Sequence, residues 1–96
     1  MSIRKAVVSG SFYPDKKEEI LKYINHFDSV KTNVETFENI KAIIVPHAGY
    51  IYSGFTANLA YKSISKKDIK RVVVIGPSHR VYLKGASVAF YDEYET

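Results

Sequence analysis

Lys41-Ala42-Ile43-Ile44-Val45-Pro46-His47-Ala48-Gly49-Tyr50-Ile51-Tyr52-Ser53-Gly54 decides the fold of this 96-residue chain. Residues 40–45, interrupted only by Lys41, are an apolar and β-branched run, the composition of a strand covered on both faces. His47 falls just past the end of that run, and Ser53 is placed to cap a helix through Phe55, Ala57, Leu59, Ala60 and Ile64, with Asn58 and Lys62 outside. A second version follows at Arg71-Val72-Val73-Val74-Ile75-Gly76-Pro77-Ser78-His79, where a strand over 72–75 again ends on a histidine. Strand, helix and strand within about thirty-five residues make a βαβ unit, with parallel strands and a right-handed crossover.

Working outward, residues 86–90 read as a third strand and Lys66-Lys67-Asp68 as a charged turn. Residues 28–39 are polar and aperiodic, a loop into the first central strand. Before it, Asp15 and Glu18 have the spacing of a capping box, and Ile20, Leu21, Ile24 and Phe27 share a helix face with Tyr23 beside them. His26 lies on the opposite, polar face and is expected to be solvated. Residues 3–10 form a short strand or extended arm ending at the Gly10-Ser11 turn signal.

The chain is large enough for one small domain, and its apolar content is that of a folded protein. Its net charge of +4 is spread along the chain with no basic block interleaved with aromatics, so no nucleic-acid partner is expected. No cysteine is present, which removes disulfides and thiolate metal knuckles within these residues and fits a reducing, cytoplasmic setting. The opening residues lack a signal-peptide pattern, and no apolar run is long enough to span a membrane.

In an open parallel sheet, ligands bind beyond the carboxyl ends of the strands, where loops and helix amino-termini converge. His47 and His79 both fall there, and neighbouring strands lie about 5 Å apart, close enough for two imidazoles to share one ion. Two neutral imidazoles, an anionic third ligand and open positions describe a catalytic iron, copper or zinc site. The plainer reading, each histidine hydrogen-bonded to loop backbone, stands beside it. Asp92, Glu93 and Glu95 are the acids within reach by sequence, although a charged chain end is ordinarily just solvated. Gly49, Ser53 and Gly54 suggest an anion cradle at a helix start, without matching a nucleotide fingerprint. Ser78 lacks a nucleophile elbow and reads better as a turn residue orienting His79. Tyr50 and Tyr52 offer phenols to the site or pack beside it.

Gly10-Ser11-Phe12-Tyr13-Pro14, Pro46-His47-Ala48-Gly49-Tyr50 with Tyr52-Ser53-Gly54, and Gly76-Pro77-Ser78-His79, in this order, together resemble the Memo family, across the whole chain. The resemblance implies an α/β fold of three layers around a mostly parallel sheet, related to the class III extradiol non-haem iron dioxygenases. It implies that His47 and His79 match two metal ligands and that Tyr52 matches a pocket tyrosine. Iron or copper is the implied cofactor, with metal-dependent redox activity. The alternative is a non-catalytic module that recognises a phosphorylated or anionic peptide or small molecule in the same pocket; a zinc hydrolase is weaker, because no general base is evident. The family continues where this chain reaches Glu95-Thr96, so residues 1–96 are expected to be the amino-terminal portion of one Memo-like domain. Such a piece, alone, is expected to be marginal, oligomeric or dependent on the remaining chain.

Overall fold

The computed structural model describes residues 2–96. In chain order it contains strand β1 (Ile3–Arg4), helix α1 (Lys17–Ser29), a π-helical turn (Tyr50–Gly54) that runs directly into helix α2 (Phe55–Lys62), and strand β2 (Glu93–Tyr94). The architecture is mixed α/β, with one two-stranded parallel sheet in which Ile3 pairs with Glu93 and Arg4 with Tyr94.

Helix α1 forms where the apolar spacing places it. Ile20, Tyr23, Ile24 and Phe27 are half-buried on one face, whereas Leu21 turns outward and His26 is exposed. The capping box does not form, since Lys16 occupies the cap position and no side chain bonds the first amides. Acidic Glu18 and Glu19 in the first turn still favour the helix through its dipole. Phe27 meets Phe55 at 6.1 Å between ring centres, and Asn58 Nδ2 donates to Asp28 Oδ1 at 2.8 Å. Asn58 is therefore part of the α1–α2 seam rather than solvent-facing. Lys62 reaches the same carboxylate at 3.7 Å, an exposed pair worth about 0–1 kcal/mol.

The Gly10-Ser11 turn is present. Gly10 adopts φ +84°, a left-handed conformation that glycine enters at no steric cost, and its N–H donates to the Tyr13 carbonyl at 2.7 Å. Phe12 N–H donates back to Val8, closing a compact knuckle.

The expected central strands are not formed. Among the described residues, 40–45, 72–75 and 86–90 take part in no ladder, and the only sheet lies at 3–4 and 93–94. The physical reason is coverage. A parallel strand needs backbone partners at its edges and layers on both faces, and here the two helices supply one layer only. Ile43 and Val45 are half-buried while Ile44 is 97% exposed, the period-2 alternation of an extended segment with a single covered side. Val74 and Ile75 are 88% and 90% exposed, and no described residue is fully buried. The βαβ pattern is thus present as chain placement without its ladder.

Candidate functional site

The two strand-end histidines come together. Residues 45–48 and 74–77 line an open cleft of about 590 Å³ together with Ile24 and Phe27 of α1 and Ala57 and Tyr61 of α2. The His47 and His79 ring centres stand 5.1 Å apart with planes inclined at 42°. Both residues are exposed, and among the described residues neither imidazole has a hydrogen-bond partner. Backbone bonding of the rings, the plainer expectation, is therefore not what holds them.

The spacing can be compared with what a shared ion would require. With metal–nitrogen bonds of about 2.0–2.1 Å, an ion sits roughly 3.2 Å from each ring centre, and a tetrahedral angle separates the two centres by about 5.2 Å. The 5.1 Å separation of the ring centres matches that distance. A third ligand does not converge: among the described residues no group of three or more His, Cys, Asp or Glu side chains is positioned to hold a metal. The acids near the chain end are engaged elsewhere. Asp92 Oδ2 accepts from Ser2 N–H at 2.9 Å, Glu93 is in β2, and Glu95 Oε2 accepts from Ala6 N–H at 3.1 Å.

Ser78 has the turn role expected of it, its hydroxyl donating to the Val81 carbonyl at 2.5 Å and closing the chain immediately after His79. Ser53 does not cap α2. The helical path starts earlier, at Tyr50, so Ser53 lies inside it and its hydroxyl donates to the Ala48 carbonyl at 3.1 Å. Gly54 is the last residue of the π turn, and a Cβ there would meet Phe27 Cε2 and Cζ at 3.0 Å. The amide of Tyr50, which an anion cradle would offer, donates instead to the Phe12 carbonyl at 2.8 Å.

Tyr50 sits between two clefts. Its ring lies 6.0 Å from Tyr13 and 5.9 Å from Tyr23, and it contributes both to the histidine-flanked cavity and to a second cleft of about 460 Å³. Tyr52, strongly exposed, lines only the second, with Phe12 and Tyr23. Gly49 fits closely against the knuckle, since a Cβ there would lie 3.1 Å from Phe12 O. The role of Phe12 as backbone anchor for the helix start was not readable from its side chain; the only signal was its place beside the Gly10-Ser11 turn.

The family model for Memo-like proteins matches residues 4–96. The chain belongs to the Memo family. It is 44% identical to a MEMO1 family protein of Aquifex aeolicus over 98 aligned positions, covering 100% of this chain and 34% of that relative. Against a MEMO1 family protein of Nitrosopumilus maritimus it is 40% identical, covering 98% of this chain and 36% of the relative. A memo-1 homolog of Caenorhabditis elegans is 33% identical, with 97% and 26% covered. This Memo chain thus spans about a third of the length of the curated relatives it matches. No solved structure matches it. Among the described residues, no helix is long and apolar enough to cross a membrane.

Proposed function

We propose that His47 and His79 are two ligands of a redox-metal centre, iron or copper, in a Memo-family fold of the three-layer, dioxygenase-related kind. The observation that carries this reading is the 5.1 Å separation of two exposed imidazoles with no hydrogen-bond partner among the described residues, each just beyond a β-branched run. Neutral imidazole suits iron and copper, and two donors leave coordination positions open for an anionic ligand and a substrate. When bound, such an ion supplies Lewis-acid and one-electron chemistry.

This chain's own residues act on placement. Pro46 and Pro77 fix the backbone angle of the approaches to the two histidines. The Ser78 hydroxyl, bonded to Val81, holds the turn that carries His79. The Tyr50 amide, tied to Phe12, anchors the segment that carries His47.

Metal analysis after equilibration with anaerobic Fe²⁺, and separately with Cu²⁺, tests the reading. Near-stoichiometric metal is expected in the wild-type chain, with retention reduced at least tenfold in both His47→Ala and His79→Ala. Equal metal content in the wild type and both variants would sink it.

A further inference from the structure

We infer that Tyr13 and Tyr50 form an oxidative cross-linking site, at which a one-electron oxidant from solution joins the two rings by a carbon–carbon bond between their Cε positions. The step is independent of any metal at the histidines.

Composition decides where oxidising equivalents go. Cysteine and methionine are the side chains that ordinarily take up oxidation first. This chain has no cysteine, no tryptophan and one methionine against eight tyrosines, so phenols are its main one-electron donors. Burial then sorts the tyrosines. Tyr52, Tyr61, Tyr82, Tyr91 and Tyr94 are exposed, whereas Tyr13, Tyr23 and Tyr50 are half-buried and form one cluster. The Tyr50 ring is central, 6.0 Å from Tyr13 and 5.9 Å from Tyr23.

Orientation separates these two neighbours. The planes of Tyr13 and Tyr50 are inclined at 38°, a moderate twist at which two rings can meet edge to edge and be joined as a biaryl. Tyr23 stands at 75° to Tyr50, so that an edge meets a face, the arrangement of ordinary aromatic packing. The backbone keeps the first pair together. Tyr50 N–H donates to the Phe12 carbonyl at 2.8 Å, and the Tyr13 carbonyl accepts from Gly10 N–H at 2.7 Å, so both rings ride on adjoining, hydrogen-bonded segments. Two rings held side by side react as one molecule, while exposed rings on separate chains must first meet.

The step balances as a two-electron oxidation. Each phenol gives one electron to the oxidant and its O–H proton to water. The two phenoxyl radicals form one Cε–Cε bond; the hydrogens on the joined carbons then leave as protons while both oxygens are reprotonated, which restores the two phenols. Two electrons and two protons are lost in all, and two equivalents of oxidant are reduced. The new bond makes permanent the junction between the Gly10 knuckle and the start of the helical path that the Phe12–Tyr50 hydrogen bond makes reversibly.

Photo-oxidation with tris(bipyridine)ruthenium(II) and persulfate, in dilute protein so that coupling between chains is suppressed, tests the inference by tryptic digestion and fragmentation mass spectrometry. The expected product is a monomeric chain two hydrogens lighter, in which peptide 6–16 is joined through Tyr13 to peptide 42–62 through Tyr50. Tyr50→Phe keeps the ring and the backbone bond but removes the phenol, and should cut the yield of monomeric dityrosine at least about tenfold, whereas Tyr23→Phe and Tyr52→Phe should leave it within about twofold. A dominant intramolecular link at another pair, Tyr23–Tyr50 or Tyr91–Tyr94 included, would overturn the assignment. So would an undiminished yield in Tyr50→Phe, dityrosine confined to covalent dimers, or no dityrosine at all.

Discussion

At the scale of single residues, the approach to His47 depends on how little space Gly49 occupies. Its φ of −62° is open to any residue, so the constraint is contact and not conformation. A Cβ there would press on Phe12 O at 3.1 Å and Phe12 Cα at 3.4 Å, and that backbone is held by the bonds of Phe12 and Ser11 to Val8. Flexible side chains could yield; this knuckle has less freedom. Gly49→Ala is therefore expected to lengthen the 2.8 Å Tyr50–Phe12 bond and destabilise the anchored segment by about 1–2 kcal/mol. Gly76, in the turn before His79, has nothing within 4 Å of a Cβ, so Gly76→Ala should be neutral or stabilising by up to about 1 kcal/mol. Amide exchange at Tyr50 checks the first variant and serves as the control for the second. Equal exchange in both would show that the knuckle yields. The convergence of the two histidines was legible because each follows a strand-like run within four residues. The Gly49–Phe12 fit was not legible, because it joins residues far apart in sequence through a backbone oxygen.

At the scale of elements, the terminal sheet is held by polar contacts more than by apolar burial. Both β1 and β2 are exposed along their length. Their pairing is supported by Asp92 on Ser2, by the Arg4 guanidinium 5.9 Å from the Tyr94 ring centre, and by Glu95 on both Ala6 and Lys5. The Ala6 N–H, and after it the Lys5 charge, hold the Glu95 carboxyl below its ordinary value of 4.5. A carboxylate with a lowered folded-state pKa stabilises the folded arrangement above its unfolded value, and the contribution is lost as pH falls through the folded value. Exchange at the Ala6 amide is therefore expected to be most protected near neutral pH. Once the intrinsic pH dependence is removed, protection should fall as the solution is acidified below the usual glutamate range; Glu95→Gln should flatten that change, and an identical profile in the variant would count against the contact. This small ladder also shows where pattern reading fails. The apolar runs at 40–45 and 72–75 carry the stronger strand signal, yet the ladder forms at Glu93–Tyr94. Periodicity reports which residues suit a covered strand, while pairing depends on partners and layers that a local pattern does not contain. Helices α1 and α2, whose hydrogen bonds are internal, were legible to within a few residues for the same reason.

At the scale of the whole molecule, the accessible surface is 9165 Å² and the radius of gyration 15.3 Å. A compact monomer of 10.9 kDa would expose about 5,600 Å², and a 96-residue domain would have a radius near 12.5 Å. The surplus surface includes the exposed residues of the two β-branched runs, among them Ile44, Val73, Val74 and Ile75. Because the unfolded chain would expose about 15,800 Å², unfolding from this arrangement uncovers roughly two-thirds of the area a compact domain would uncover. The heat-capacity increment scales with that area, so calorimetry on the metal-free chain should give about 0.9 kcal/mol/K against the ~1.3 expected for a compact domain of this size. The denaturant slope should be reduced in the same proportion, with a broad transition. Surface that is covered by another copy would show itself differently: the increment would approach the compact value, and the midpoint would rise with protein concentration. A compact increment with a sharp, concentration-independent melt would mean that the chain closes its own sheet without help.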